Sequence, residues 1–197
     1  MNNNYEKSIK MISEKFEVKA VKTFMGRDGY GVNANLYYEG KKVAFLLDSG
    51  NGGCLDVDWV CKTKNDKPYI PEIVKESQLY LQCLINQLPK TTWTDKSGSD
   101  EYDLGEYIWN EESICNSLID EFLLLKDFKK CLKKVAVLNK KKQILEYRAP
   151  SSDLDKEFRF KEGNMTFRDR VMMDKETDLI LNDLPTDKAF AIYRANR

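Results

Sequence analysis

Between Val32 and Tyr38 the chain alternates. Val32, Ala34, Leu36 and Tyr38 occupy one set of positions, and Asn33, Asn35 and Tyr37 the other. A period of two predicts an antiparallel strand with one buried face. Upstream, Ile9, Ile12 and Phe16 recur at helical spacing and predict a short amphipathic helix over residues 5–15. Val18 to Met25 alternates more weakly, with Val18 and Ala20 on one face and Lys19 on the other, and predicts a strand. Downstream, Glu39-Gly40 reads as a turn. Val43 to Leu47 is apolar on both faces, as in a central strand, and Leu55 to Trp59 alternates again. Four strands joined by short glycine-bearing turns predict a β-meander.

Beyond Trp59 the period lengthens. Ile73, Val74, Leu81, Leu84, Ile85 and Leu88 predict a helix within residues 70–88, with Pro71 at an early position that suits it. Lys90 to Asp103 is polar and rich in turn residues, which predicts a loop and the place for a minor lobe boundary within one domain spanning 1–197. Asn110 to Lys134 carries the strongest helical pattern. Asn110 can cap it, Glu111 and Glu112 sit in its first turn, and Ile114, Leu118, Phe122 and Leu125 form its stripe. Lys129, Lys130, Lys133 and Lys134 close it, which suits the helix dipole. Val135–Leu138 and Ile144–Tyr147 flank Asn139-Lys140-Lys141-Lys142 and predict a second hairpin. After Pro150 the pattern is helical in short pieces, with Thr166 and Asp169 in a capping-box arrangement and Thr186 as a cap for a last helix. The expected fold is α+β: an antiparallel β-meander near the N-terminus, a long central helix, a second hairpin and short C-terminal helices.

Charge and composition remove several functions. The 197 residues carry 32 basic and 32 acidic side chains. A general nucleic-acid binder carries a basic excess, so none is expected here, and Lys126 to Lys142 is the densest local basic stretch. The chain has no histidine, which excludes Ser-His-Asp and Cys-His catalysis. Five cysteines without a C-x-x-C spacing read as thiols in a reducing cytosol. The N-terminus lacks the apolar core of a signal peptide and no stretch reaches membrane length, so a cytoplasmic protein without membrane contact is expected. Asp56 and Asp58 share a strand face, with Asp48 near them in sequence, and such a group can hold Mg²⁺ or Ca²⁺. The solvated face of an amphipathic strand is the simpler reading, and no metal or cofactor is expected.

Two short motifs bear on chemistry. Gly26, Gly29 and Gly31 are spaced closely enough for a phosphate cradle, which makes nucleotide or small-ligand binding one alternative function. A strand follows them, though, where phosphate loops lead into a helix, and no Gly-Lys-Ser/Thr is present. Chain reversal at Gly26 and Gly29 and crowding at the strand start by Gly31 account for them better. The second motif is Phe45-Leu46-Leu47-Asp48-Ser49-Gly50, which resembles the catalytic loop of retroviral-type aspartic proteases. That resemblance implies a hydrolase whose Asp48 shares a proton with a second such aspartate across a homodimer. The chain has no second Asp-Ser/Thr-Gly, and Ile180-Leu181-Asn182 carries Asn where that family has Gly. Read without the resemblance, Asp48 and Ser49 start a turn by bonding local backbone.

What remains is a binding protein that acts by protein–protein contact. In its Lys- and Asn-rich texture the chain resembles accessory proteins that phages and mobile elements of AT-rich hosts encode, which implies inhibition of a host factor, defence systems included. Two regions combine aromatic and acidic residues as a docking surface would. One is Tyr30, Tyr37, Asp56, Asp58 and Trp59. The other is Trp93, Asp100, Glu101, Tyr102, Asp103 and Tyr107, with Trp109 beside it. Their acidity predicts a partner with a basic surface, of the kind that otherwise holds nucleic acid.

Overall fold

The computed structural model describes residues 3–89, 91–97, 100–161 and 163–196, with residues 3, 91–97 and 100–107 described as backbone only. Helix α1 (Asn3–Ser13) leads into β1 (Phe16–Met25), β2 (Tyr30–Tyr38), β3 (Lys41–Asp48) and β4 (Asp56–Trp59). These strands pair antiparallel in sequence order, which is the expected meander. Glu39 and Gly40 both have positive φ, 46° and 77°. That geometry matches the twist of the strands it joins. Ala34, Leu36 and Tyr38 are buried, and so are Val43, Ala44 and Leu46 of the central strand β3.

One detail of β1 differs from the alternation. Ala20 does not share the face of Val18. The register shifts between Lys19 and Lys22, Ala20 takes φ 54°, and Val21 turns inward in its place. An extra residue in one strand is a β-bulge, and it keeps two valines in the core across the kink.

A hairpin of β5 (Lys62–Lys64) and β6 (Lys67–Tyr69) follows, turning through Asn65 and Asp66 at positive φ. Helix α2 (Glu72–Gln87) starts after Pro71 and buries Val74, Ser77, Leu81 and Leu84. The Ser77 hydroxyl donates to the Val74 carbonyl at 2.8 Å, so its burial leaves no bond unmade. Where a polar loop was expected, residues 91–97 and 100–107 instead form a hairpin, β7 (Thr91–Ser97) against β8 (Asp100–Tyr107). Thr91, Thr92, Thr94 and the aromatics Trp93, Tyr102 and Tyr107 favour strands, a propensity masked by the turn formers between them.

Helix α3 (Glu111–Cys131) is capped as expected, with a reciprocal partner the sequence did not flag. The Ser113 N–H donates to Asn110 Oδ1 at 2.7 Å, and the Asn110 N–H donates to Ser113 Oγ at 2.8 Å. This is a capping box with serine in the place of glutamate. Ile114, Cys115, Leu118 and Ile119 are buried in its first half, and Phe128 and Cys131 in its second. The chain divides into two compact units, Met1–Phe122 and Leu123–Arg197. The division falls within α3, and residues 90–103 lie inside the first unit.

In the second unit β9 (Lys134–Asn139) and β10 (Ile144–Pro150) form the expected hairpin. After Pro150 the structure departs from short helices alone: β11 (Glu157–Phe160) and β12 (Gly163–Thr166) pair with each other. Following α4 (Phe167–Met172), β13 (Thr177–Ile180) joins the free edge of β9, and α5 (Thr186–Ala195) ends the chain. Strands of four residues are too short to show a period in the sequence. Thr166 caps α4, its Oγ1 accepting the Asp169 N–H at 3.1 Å. Thr186 is the first residue of α5, not its cap; Pro185 takes that position and no side chain caps it. Strand β9 is buried on both faces. Ala136 packs with Phe128, Cys131, Leu181, Ala189 and Tyr193, and Val135 and Val137 pack with Leu154, Val171 and Ile180.

Candidate interaction surface

The strand registers bring four chain segments to one end of the first sheet. Met25 pairs with Tyr30, Val32 with Asp48, and Leu47 with Asp56. The loop from Gly26 to Gly29 and the loop from Ser49 to Gly53 therefore lie side by side. They touch backbone to backbone. A Cβ on Gly26 would sit 2.5 Å from the Gly50 carbonyl oxygen, and one on Gly50 would sit 2.7 Å from the Gly31 nitrogen. Gly50 also takes φ 68°. No side chain fits such an approach. Gly29 is different, with nothing within 4 Å of its Cβ position.

The same contact uses the amides that an anion would need. The Gly26 N–H donates to the Gly29 carbonyl at 2.7 Å, and the Asp28 N–H to the Gly50 carbonyl at 2.9 Å. The Arg27 N–H donates to Asn51 Oδ1 at 3.3 Å. Asp48 Oδ1 accepts the Gly50 N–H at 2.8 Å, which closes an Asx turn. The glycines thus serve a loop-to-loop junction, and the Asp48 carboxylate holds its own turn.

The junction presents large side chains to solvent. Tyr30 is 76% exposed, Met25 70% and Phe24 36%. Phe24 lies across Gly31, where a Cβ would come within 2.4 Å of its ring. Asp28 and Asp56 are exposed at the same end, Asp48 is half-buried there, and Asp58 is exposed two residues along β4. Among the described residues, no group of three or more Cys, Asp or Glu side chains is placed to hold a metal ion.

Other expected docking residues lie elsewhere. Tyr37 is at the opposite end of the sheet, with the Lys19 ammonium 4.6 Å from its ring centre. Trp59 is half-buried and hydrogen-bonds to Glu111. Burial raises the Glu111 pKa, and that bond opposes the rise. Glu112 accepts the Leu55 N–H at 3.1 Å, so the start of α3 fastens both ends of β4. Trp109 is buried, stacks on Tyr5 and donates to the Pro89 carbonyl at 3.2 Å, which makes it an anchor of the fold. Trp93, Asp100, Glu101, Tyr102, Asp103 and Tyr107 lie on the β7–β8 hairpin, and their side chains fall outside the described residues. Phe24 and Met25 were not read from the sequence as surface residues. Their signal was an apolar pair at a strand end, directly before a glycine.

Division into units also changes the meaning of the zero net charge. Residues 1–122 hold 14 basic and 20 acidic side chains, a net of −6, and residues 123–197 hold 18 and 12, a net of +6. The second unit has a cavity of about 370 Å³ lined by Gln143, Ile144, Glu146, Tyr193 and Asn196. Its charged lining group, Glu146, is ion-paired with Lys134 at 2.8 Å.

None of the five cysteines forms a disulfide. Burial pushes the Cys115 thiol up to about 12, so it is an inert packing residue. No helix among the described residues is long and apolar enough to cross a membrane. No family model, curated protein or solved structure matches the chain.

Proposed function

We propose that the protein acts by protein–protein contact, through the loop end of its first sheet. The observation that carries this is Met25 and Tyr30, cross-strand partners both exposed beside a junction of tight backbone packing. Rigid aromatic anchors lose little entropy on binding, and acidic neighbours steer a basic partner. The −6 charge of this unit supports a partner whose docking face is basic, as nucleic-acid-binding proteins present. The acidic run Asp100, Glu101 and Asp103 on the β7–β8 hairpin is proposed as a second contact of the same sign. A chain without histidine that binds in this way works by occupying its partner. We read it as a cytosolic inhibitor of a host factor, of the type phages and mobile elements encode, on the texture of its sequence.

The test compares capture of a host protein by the wild type and by Met25→Ser/Tyr30→Ser. Both side chains are exposed, so the variant should fold with an unchanged melting temperature and lose at least tenfold in affinity for the captured protein. Equal capture would reject this surface. Charge reversal at Asp100, Glu101 and Asp103 should slow association and flatten its salt dependence. Peptide hydrolysis abolished by Asp48→Asn would instead establish the hydrolase alternative.

A further inference from the structure

We propose that the outward face of the second half of α3 binds the phosphate backbone of nucleic acid without regard to sequence. Lys126, Lys129, Lys130 and Lys133 are spaced i, i+3, i+4 and i+7, so they share one side of the helical path. All four are exposed. Phe128 and Cys131, on the other side of α3, are buried in the second unit's core, which fixes the lysine face toward solvent.

These lysines are also uncommitted. Lys134, Lys142 and Lys156 of the same unit pair with Glu146, Asp178 and Asp153. Among the described residues, none of Lys126, Lys129, Lys130 and Lys133 forms an ion pair. Asp127 is the one acidic residue from 123 to 134. Complementing the helix dipole accounts for Lys129 and Lys130 in the last turn, but not for Lys126 a turn earlier or Lys133 beyond the helix end. Seven residues at a helical rise span about 10 Å, the distance from the first to the last of four successive phosphates along one DNA strand.

The surroundings favour this occupant. The unit's +6 charge is the basic excess that a whole-chain count hides. A membrane surface would need apolar side chains beside the cations. Here the apolar face of α3 is spent on the core, and no exposed large hydrophobic residue lies between Lys126 and Lys133.

The test is fluorescence anisotropy of the full chain with a labelled DNA duplex of random sequence, read from about 50 to 200 mM salt. Four phosphate contacts give a log–log slope near −3.6, so affinity should fall roughly 100-fold across that range. Replacing all four lysines by Gln should abolish binding at the lowest salt, whereas replacing them by Arg should retain it. Should the fourfold Gln variant fail to fold, Lys126→Gln/Lys130→Gln and Lys129→Gln/Lys133→Gln should each remove about half the slope. Absence of binding by the wild type, or an unchanged slope in the Gln variants, would overturn the proposal. So would sedimentation showing that these lysines instead hold the acidic unit of a second copy. The readout uses nucleic acid alone and is independent of the Met25/Tyr30 capture experiment.

Discussion

The two units keep their chains in place by different means. In residues 1–122 the loops at the end of the sheet are joined by backbone against backbone, at Gly26, Gly31 and Gly50. In residues 123–197 the corresponding work falls to polar side chains that reach across the sequence. Asn182 accepts the Ala136 N–H at 2.8 Å and donates to the carbonyls of Leu132 and Lys134, both at 3.0 Å. It thereby fastens the passage from α3 into β9. Arg168 likewise bridges Asp155, at 2.7 Å, and Asp183. A junction built on absent side chains tolerates no added atom, and one built on present side chains tolerates no lost atom. Added side chains should therefore be the costly change in the first unit, and truncated ones in the second.

The largest effect is expected where a side chain would enter the glycine junction. Gly26→Val and Gly50→Val should each cost about 3 kcal/mol, from backbone overlap and, at Gly50, from a positive φ. Gly29→Ala should stay within about 0.5 kcal/mol, because its surroundings are open. Urea unfolding measures both. Equal tolerance at all three glycines would dissolve the contrast between the units.

Next comes Asn182. Asn182→Ala leaves a buried N–H and two carbonyls short of a partner and should cost about 2–3 kcal/mol. Asn182→Asp should be no better, since a carboxylate cannot donate to the two carbonyls. Hydrogen exchange at the Ala136 amide, read by NMR, reports the local opening. A variant with unchanged protection there would show that the asparagine is not the clamp.

A smaller loss, about 1 kcal/mol, is expected for Asn110→Ala, which opens the capping box of α3. Thermal melting with Ser113→Ala as the partner substitution sharpens this. The two losses should not add, because each residue satisfies the other's amide.

The smallest effect is in acid, where the units should respond in opposite directions. Arg168 holds Asp155, and Lys156 holds Asp153, below the usual carboxylate range. Their contribution is present above the unfolded pKa of about 4 and is lost as pH falls through the lower folded values. Burial raises Glu111 instead. Its contribution is full below the unfolded pKa and is lost as pH rises through the folded one. Hydrogen exchange between pH 3 and 6 should show the second unit loosening first on acidification. The reverse order would mean that these carboxylates do not govern either unit.

Much of the first unit was legible because its signals are local. Alternation in Val32–Tyr38, the Glu39-Gly40 turn and the Asn110 cap each involve neighbours in sequence, where backbone sterics and side-chain reach act within a few residues. The β5–β6 and β11–β12 pairs were not legible, since strands of three or four residues carry no readable period. The α+β class and the meander followed from the sequence alone, because hydrophobic period fixes which face must leave water. Tertiary structure alone decided what the glycines near Gly26 and Gly50 do, that Asn182 holds the α3–β9 passage, and that a balanced charge is divided into −6 and +6. Each of these depends on groups far apart in sequence, and only the packed chain sets the distances between them.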